Sequence, residues 1–549
     1  MAFSNEVLKA AGDCGRFQIW LVVLISLACP SLSFHLFSQI FMVQRVPHHC
    51  DTSWILEINP NLTKEEQLNL TIPRNTQGSY EECYMYTPVD WDLDSIRRYG
   101  LNSTEKCRDG WVYVSSEETL ITKFDLVCDR KEQTDISQSI FMLGLLIGAF
   151  IFGSLSDSIG RRPTTLVCLL IQGVFGIGTA FVPNFYVYVA LRWAIGAAVS
   201  GVAIVLTESV LTFLATEWVG ISYRPHAVII SHCWFAFGQM TLAGLAYGIR
   251  NWRMLQIAGS APVFALFFYI WVFPESARWL MAKGKIKDAK KLFQKAAVMN
   301  KRTIPPELLD EVTGIAMEQA NSPPGAKPAL LCLACRFVNS LVYYGVSLNV
   351  GNFGLDIYLT QLVFGAVEIP ARFSCIYLLQ WFGRKKSQSG CLLLGGIMCL
   401  IITGIPKDLP VVTTTLAVIG KFSIAASFSC ILLIPFMPCS LTRQTGVGLC
   451  SMSARLGGII SPLIGLLGTY NSVIPMAIFG GTPVIGGILC CLLPETRGKE
   501  LQDGTEEPVE TQWWTQKDHG RNYPRRCGLE RSPLFRALER LGVTGKRAG

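Results

Sequence analysis

Val447 to Leu467 reads VGLCSMSARLGGIISPLIGLL, apolar throughout except for a single arginine, Arg455. A run of this length can cross a bilayer as one helix, for which about 20 apolar residues suffice. An arginine at its middle costs roughly 3 kcal/mol on insertion scales and persists where it faces protein or water rather than lipid. The functional reading of Arg455 is therefore a water-filled site that holds an anion. The structural alternative is an ion pair with an acid on a neighbouring helix.

The rest of the chain has the same character. Of 549 residues, 50% are apolar and 16% charged, with a net charge of +8. That composition points to a polytopic membrane protein and away from a soluble enzyme. The N-terminus, MAFSNEVLKAAGDCGRF, carries acids and no cleavage-like site, and the apolar run Ile19–Val43 is too long for a signal h-region. Residues 1–18 then read as a cytoplasmic segment and Ile19–Val43 as the first span. Spans two to six follow at Ser137–Leu155, Pro163–Phe181, Tyr186–Thr207, Ala227–Ile249 and Met254–Phe273. Glu208 and Glu217 leave Val202–Trp218 as either an extension of span four or a short surface helix. Spans seven to twelve are expected at Pro328–Leu348, Leu355–Leu379, Ser387–Ile405, Val411–Met437, Val447–Leu467 and Ile474–Leu493, with Arg336 interrupting the seventh. This divides the chain into six-helix halves, 19–280 and 328–493, joined by a basic amphipathic cytoplasmic loop, 281–327. A polar tail covers 494–549, and its part from Gln512 to Gly549 reads as disordered.

One long polar loop, residues 44–135, fixes the orientation. It holds three glycosylation acceptors, Asn61, Asn69 and Asn102, each followed two residues later by threonine. It also holds Cys50, Cys83, Cys107 and Cys128, whereas most of the other cysteines among the 19 sit in apolar runs. Sequons and cysteines together place the loop outside, in an oxidising compartment. The four cysteines admit three pairings, and sequence does not choose between them. No CxxC pair and no clustered His/Cys spacing supports a metal site. Turns expected inside carry Arg161-Arg162, Arg224, the lysine-rich central loop, Arg384-Lys385-Lys386 and Arg443, while turns expected outside are nearly free of basic residues apart from Asn251-Trp252-Arg253. This agrees with a positive-inside arrangement of about twelve spans with both ends in the cytoplasm.

A turn motif follows the second span: Gly153, Asp157, Gly160, Arg161 and Arg162 in GSLSDSIGRR. Gly153 and Gly160 permit a tight turn and close backbone approach, and Asp157 could face a helix end or an arginine. A degenerate echo, Gly383-Arg384-Lys385-Lys386, follows the eighth span. Matched turns at corresponding places in two six-helix halves signal an internal repeat, the organisation of major facilitator transporters.

At this point the chain resembles the solute carrier 22 family of organic ion transporters over nearly its whole length. The resemblance is carried by Gly15-Arg16-Phe17-Gln18, His48-His49-Cys50, Phe124-Asp125-Leu126-Val127-Cys128-Asp129, Asn251-Trp252-Arg253, Pro274-Glu275-Ser276-Ala277-Arg278-Trp279-Leu280, Arg443-Gln444-Thr445-Gly446 and Pro494-Glu495-Thr496-Arg497-Gly498. Tyr343-Tyr344-Gly345, Phe364-Gly365-Ala366-Val367 and Gly238-Gln239-Met240 look like the organic anion branch, and most like its members that exchange urate and nicotinate.

The resemblance implies an all-α major facilitator fold and specific site residues. Arg372 matches a position where anion transporters carry a basic residue, and Arg455 matches an arginine that cation-transporting relatives replace with aspartate. A guanidinium is always charged and can grip a carboxylate through two parallel hydrogen bonds. A pair between Arg372 and Glu368, one turn earlier, is the structural alternative. Tyr343, Tyr344 and Phe428 match aromatic site positions whose faces suit a ring such as urate or nicotinate. Lys421 is a further basic candidate, unless it snorkels to the outer surface. Trp234 and Phe235 are weaker candidates, and His35 reads as inward-facing polar filler. Glu275, Arg278, Arg384, Arg443 and Glu495 are expected in the cytoplasmic network that governs the transport cycle.

The chain also departs from the family pattern. The inner end of span ten reads Pro435-Phe436-Met437-Pro438-Cys439, so an acid usual in relatives is gone. The chain is shortened between Asn321 and Arg336 and lengthened around Val202–Leu214. The expected function is exchange of small organic anions, such as urate, nicotinate or related monocarboxylates, for intracellular anions such as lactate. It would run at the plasma membrane, on the apical side of epithelia by resemblance, in a monomer that needs no cofactor and whose partners are substrate, counter-anion and lipid, not nucleic acid. A non-transporting family member and a cation or zwitterion carrier are the rivals.

Overall fold

The computed structural model describes residues 12, 15–75, 78–115, 117–204, 223–269, 273–305, 326–406, 408–433, 440–471 and 473–492, with the side chains of 224–225, 269, 278, 282, 326–332, 432–433, 440–448 and 450 excepted. Among the described residues, ten helices are long and apolar enough to cross a membrane: Arg16–Met42, Cys128–Ile159, Arg161–Phe181, Phe185–Val202, His226–Gly248, Ile357–Trp381, Arg384–Thr403, Pro410–Ile431, Ser451–Thr469 and Val473–Cys490. The places of the sixth and seventh spans are filled by Trp252–Ser260 with Pro262–Tyr269, and by Ala326–Leu348. Each expected span thus has a helix.

The largest differences from the expected bounds have local causes. The first span is two helices, Arg16–Ser26 and Cys29–Met42, with Pro30 in the first turn of the second. Proline tolerates that position because its missing N–H would have no helical partner there. The sixth breaks at Ala261, before Pro262. The second and eleventh extend well into their flanking turns, to Gln133–Ile159 and Ser440–Leu466. The altered inner end of span ten, the inserted stretch beyond Ile204 and Glu495 lie outside the described residues, as do the side chains of Arg278 and Arg443.

The two halves repeat one turn in atomic detail. Gly160 closes the second span with φ 103° and ψ 167°, and Gly383 closes the eighth with φ 82° and ψ 175°. Only glycine adopts this region without strain. In both, the hydroxyl four residues on returns to the glycine carbonyl: Thr164 Oγ1 to Gly160 O at 2.7 Å, and Ser387 Oγ to Gly383 O at 2.6 Å. In the first half the turn is clamped by Glu275, whose carboxylate accepts from the backbone N–H of Arg161 (2.9 Å) and of Arg162 (3.2 Å). A carboxylate there satisfies orphan donors and complements the helix dipole. Trp279 Nε1 donates to Asp157 O at 3.0 Å. The side chain of Asp157 is exposed. The acid that meets the helix end is therefore Glu275, because the turn aims Asp157 at solvent.

The outer loop is a small ordered domain. His48–Cys50 pairs antiparallel with Trp111–Tyr113, and Tyr84–Tyr86 with Thr104–Lys106. The cysteines pair as Cys50–Cys107 and Cys83–Cys128. Asn61, Asn69 and Asn102 are all exposed. His48, Cys83 and Cys128 cluster, but both sulfurs are consumed in the disulfide, so the group is no thiolate metal site. On the other side of the membrane, Asn300, just past the helix Ile286–Met299, ties the central loop to the first span. Its Oδ1 accepts from Phe17 N at 2.9 Å and its Nδ2 donates to Gln18 Oε1 at 2.9 Å.

Candidate functional site

The eighth span carries Glu368 and Arg372 on one face, four residues apart. Glu368 is wholly buried and gathers donors from four helices. Its Oε2 faces Arg372 Nη2 at 3.1 Å, and its Oε1 faces Lys421 Nζ of the tenth span at 2.8 Å. The Tyr343 hydroxyl of the seventh span donates to Oε1 at 2.6 Å, and Gln239 Nε2 of the fifth at 3.1 Å. Lys421 Nζ also donates to Ser347 Oγ at 2.5 Å, and Arg372 Nη1 to Ser429 Oγ at 3.1 Å. Arg372 Nε has no hydrogen-bond partner among the described residues. Lys421 therefore does not snorkel outward, and Arg372 does pair with Glu368. Two cations share one carboxylate, so among the described residues one positive charge of the cluster is not matched by an acid. Burial of these charges is costly, and only close pairing with further hydrogen bonds offsets it.

Aromatic rings wall the cluster. Lys421 Nζ sits 3.7 Å from the Tyr343 ring centre, and the Arg372 guanidinium 5.6 Å from that of Phe428. Tyr343 and Phe428 are 5.5 Å apart, and Tyr344 meets Tyr343 edge-on at 5.5 Å. Such cation–ring contacts gain strength where water is excluded. His232 of the fifth span meets Phe428 edge-on at 6.4 Å.

Arg455 is half-buried on the eleventh span. The exposed stripe of that helix is Leu449, Leu456, Ile460, Leu463 and Leu467, which leaves Arg455 off the lipid-facing line. Three residues on, Gly458 packs so closely that an added Cβ would lie 3.3 Å from the Tyr344 ring and 3.6 Å from Met142 Sδ. Positions three apart are neighbours on a helix surface, so Arg455 lies about one turn from the point where the eleventh span packs on Tyr344. The structure thus brings Arg372, Lys421, Tyr343 and Phe428 into contact, with Tyr344 edge-on to Tyr343 and Arg455 three residues from the glycine on which Tyr344 packs. It does not bring Trp234. That ring packs at 5.8 Å on Phe237, which is exposed. Helical periodicity turns Trp234 away from the face on which His232, Ala236 and Gln239 meet the second half.

A third buried cation lies in the first half and was not among the expected site residues. Arg192 of the fourth span is wholly buried. It donates to His35 O (3.2 Å), Gln39 Oε1 (2.9 Å) and Gln138 Oε1 (3.1 Å), and lies 4.4 Å from the Phe141 ring centre. Its signal in the sequence is the same as that of Arg455, an arginine within an apolar run. His35 is wholly buried with neither ring nitrogen hydrogen-bonded.

At the outer end the halves are latched on Tyr358, near the start of the eighth span. Its hydroxyl accepts from Gln44 Nε2 (2.8 Å) and Arg250 Nη1 (3.0 Å), both from the first half. Phe41 stacks on its ring at 5.3 Å, and Tyr247 meets it edge-on at 5.8 Å. Residues from the first and fifth spans thus close over the outer side of the eighth.

This architecture, with described helices at all twelve expected span positions in two repeated halves around buried charge, defines a major facilitator transporter. A family model described as "Sugar (and other) transporter" matches residues 92–507. Human "Solute carrier family 22 member 13" is 48% identical over 519 residues, covering 92% of this chain and 93% of its own. "Solute carrier family 22 member 6-B" of Xenopus laevis is 38% identical, covering 94% and 96%. The inward-open, partially occluded xylose transporter XylE from E. coli shares the fold, with a TM-score of 0.58 at 15% identity, covering 87% of this chain and 99% of that one. The chain belongs to the solute carrier 22 family, and is a multi-pass membrane transporter rather than an enzyme.

Proposed function

We propose that the protein exchanges small organic anions, namely urate, nicotinate or related monocarboxylates, across the plasma membrane by alternating access of its two halves. One observation carries the reading: Arg372 and Lys421 converge on the single carboxylate of Glu368, leaving an excess positive charge lined by Tyr343 and Phe428. An anion with a flat ring suits that surround in both charge and shape. A bound monoanion balances the excess, so the loaded cluster crosses between states more readily than the empty one, which favours exchange over net flux. Arg455, on the helix face beside Tyr344, supplies a second charge to the same region. The exposed sequons and the disulfides of the outer loop support a cell-surface location.

The test is uptake of radiolabelled nicotinate and urate into proteoliposomes, wild type against Arg455→Ala. The account expects uptake by wild type, stimulated by internal lactate, and its loss in the variant at equal reconstitution. Uptake of a quaternary ammonium tracer, unchanged by Arg455→Asp, would select the cation carrier instead.

A further inference from the structure

The second half holds a dithiol that no step of the proposed exchange uses. Cys375 of the eighth span and Cys430 of the tenth are wholly buried, with Sγ atoms 3.1 Å apart. Small residues allow this approach: Ala371, Ala425 and Ala426 form a buried cluster between the same helices, with Cys391 of the ninth span packed on it. Cys391 is half-buried beside them. The contacts Glu368–Lys421, Arg372–Ser429 and Cys375–Cys430 follow one another down a parallel pair of helices. The thiol pair thus begins one turn below the guanidinium of Arg372.

We infer that Cys375 and Cys430 form an oxidisable dithiol, a modification site whose closure pins the eighth span to the tenth beside the cation cluster. The sulfurs need approach by only about 1 Å to reach the disulfide length of about 2.05 Å. In the reaction both S–H bonds and the peroxide O–O bond break and one S–S bond forms. The two thiols give up two electrons and two protons, and hydrogen peroxide becomes two waters. One thiol of the pair is oxidised to a sulfenic acid with release of one water, and the other attacks that sulfur with loss of the second. In a reducing cytosol the pair rests as thiols.

The effect on transport rests on the proposed exchange; the bond itself does not. Full-length protein in proteoliposomes, carrying Cys335→Ser and Cys490→Ser to remove a second close pair (Sγ–Sγ 2.8 Å), is treated with hydrogen peroxide. Remaining thiols are blocked and the protein is digested without reductant. The inference expects a peptide cross-linked through Cys375 and Cys430, loss of nicotinate–lactate exchange, and recovery on dithiothreitol. A Cys375→Ser, Cys430→Ser protein and a Cys375→Ala protein should keep their exchange in peroxide. Absence of the cross-linked peptide overturns the inference, as does a cross-link that leaves exchange unchanged or equal inhibition of the serine and alanine variants. A protein that shows no exchange before oxidation counts against the functional proposal alone, and the peptide map still decides the bond.

Discussion

Arg372 Nη2 lies 3.1 Å from Glu368 Oε2, one turn away on the same helix, and both side chains are buried. The pair is not self-contained, because Lys421 approaches the other oxygen of the same carboxylate at 2.8 Å. Glu368 is therefore the hub that keeps two like charges together in the membrane interior. Glu368→Ala leaves both cations without a counter-charge, and breaking buried ion pairs in this way costs about 3–5 kcal/mol. Thermal unfolding in detergent should shift down accordingly, and millimolar nicotinate should recover part of the shift by supplying the missing carboxylate. No recovery by any monocarboxylate would count against an anion site here.

The Tyr358 latch gives a conformational prediction. Its hydroxyl and ring hold Gln44, Arg250 and Phe41 of the first half. Tyr358→Ala removes all of these contacts and shifts the population toward an outward-open form. A cysteine placed at Gly365, where the eighth span abuts the fifth at Met240, should react faster with an external, membrane-impermeant thiol reagent in the Tyr358→Ala background. An unchanged rate would show that the latch does not close the outer path.

Glu275 and Asp157 should separate cleanly. Glu275 accepts two backbone N–H groups at the start of the third span, whereas the Asp157 side chain is exposed. Glu275→Ala should cost about 1–2 kcal/mol, the range for a lost helix cap, and Asp157→Ala should stay within about 0.5 kcal/mol, as for ordinary surface changes. Thermal unfolding of the two variants side by side checks the ranking.

The outer loop should weaken in alkali. Burial and the Tyr113 hydroxyl's hydrogen bond to Asp125 Oδ1, at 2.9 Å, raise the Tyr113 pKa above its ordinary value of 10.0. In the unfolded loop the phenol ionises first, so the stability Tyr113 contributes is complete below about pH 10 and declines as pH rises toward the folded value. Protease cleavage of the loop should accelerate above pH 10 in wild type. Tyr113→Phe should lose that component of the pH dependence, and an identical profile in the two would refute the assignment.

Much of this architecture was legible in the sequence because the bilayer imposes it. Apolar runs near 20 residues and a glycine-anchored turn repeated after the second and eighth spans fix helices and repeat before any packing is known. The glycines proved to share a backbone conformation and even a hydroxyl contact, which residue type alone hints at only weakly. What stayed hidden was which face each helix turns to its neighbours. Trp234 and Gln239 sit on one helix, and nothing in their spacing says that the glutamine, not the tryptophan, reaches Glu368. Lys421 could equally have snorkelled outward; the acid, a hydroxyl and a ring of other spans retain it. Arg192 carried the same sequence signal as Arg455, but its neutral partners come from the first and second spans. The three disulfide pairings were equivalent until the loop's strands brought Cys50 beside Cys107.

The most direct test removes one of the two cations that share Glu368. In proteoliposomes preloaded with lactate, wild type should accumulate radiolabelled nicotinate faster than in lactate-free vesicles. Lys421→Gln, which leaves Arg372 and Glu368 to cancel one another, should abolish that acceleration at equal protein incorporation. Lactate-driven nicotinate entry at the wild-type rate in Lys421→Gln would contradict the claim that the excess charge of this cluster holds the anion.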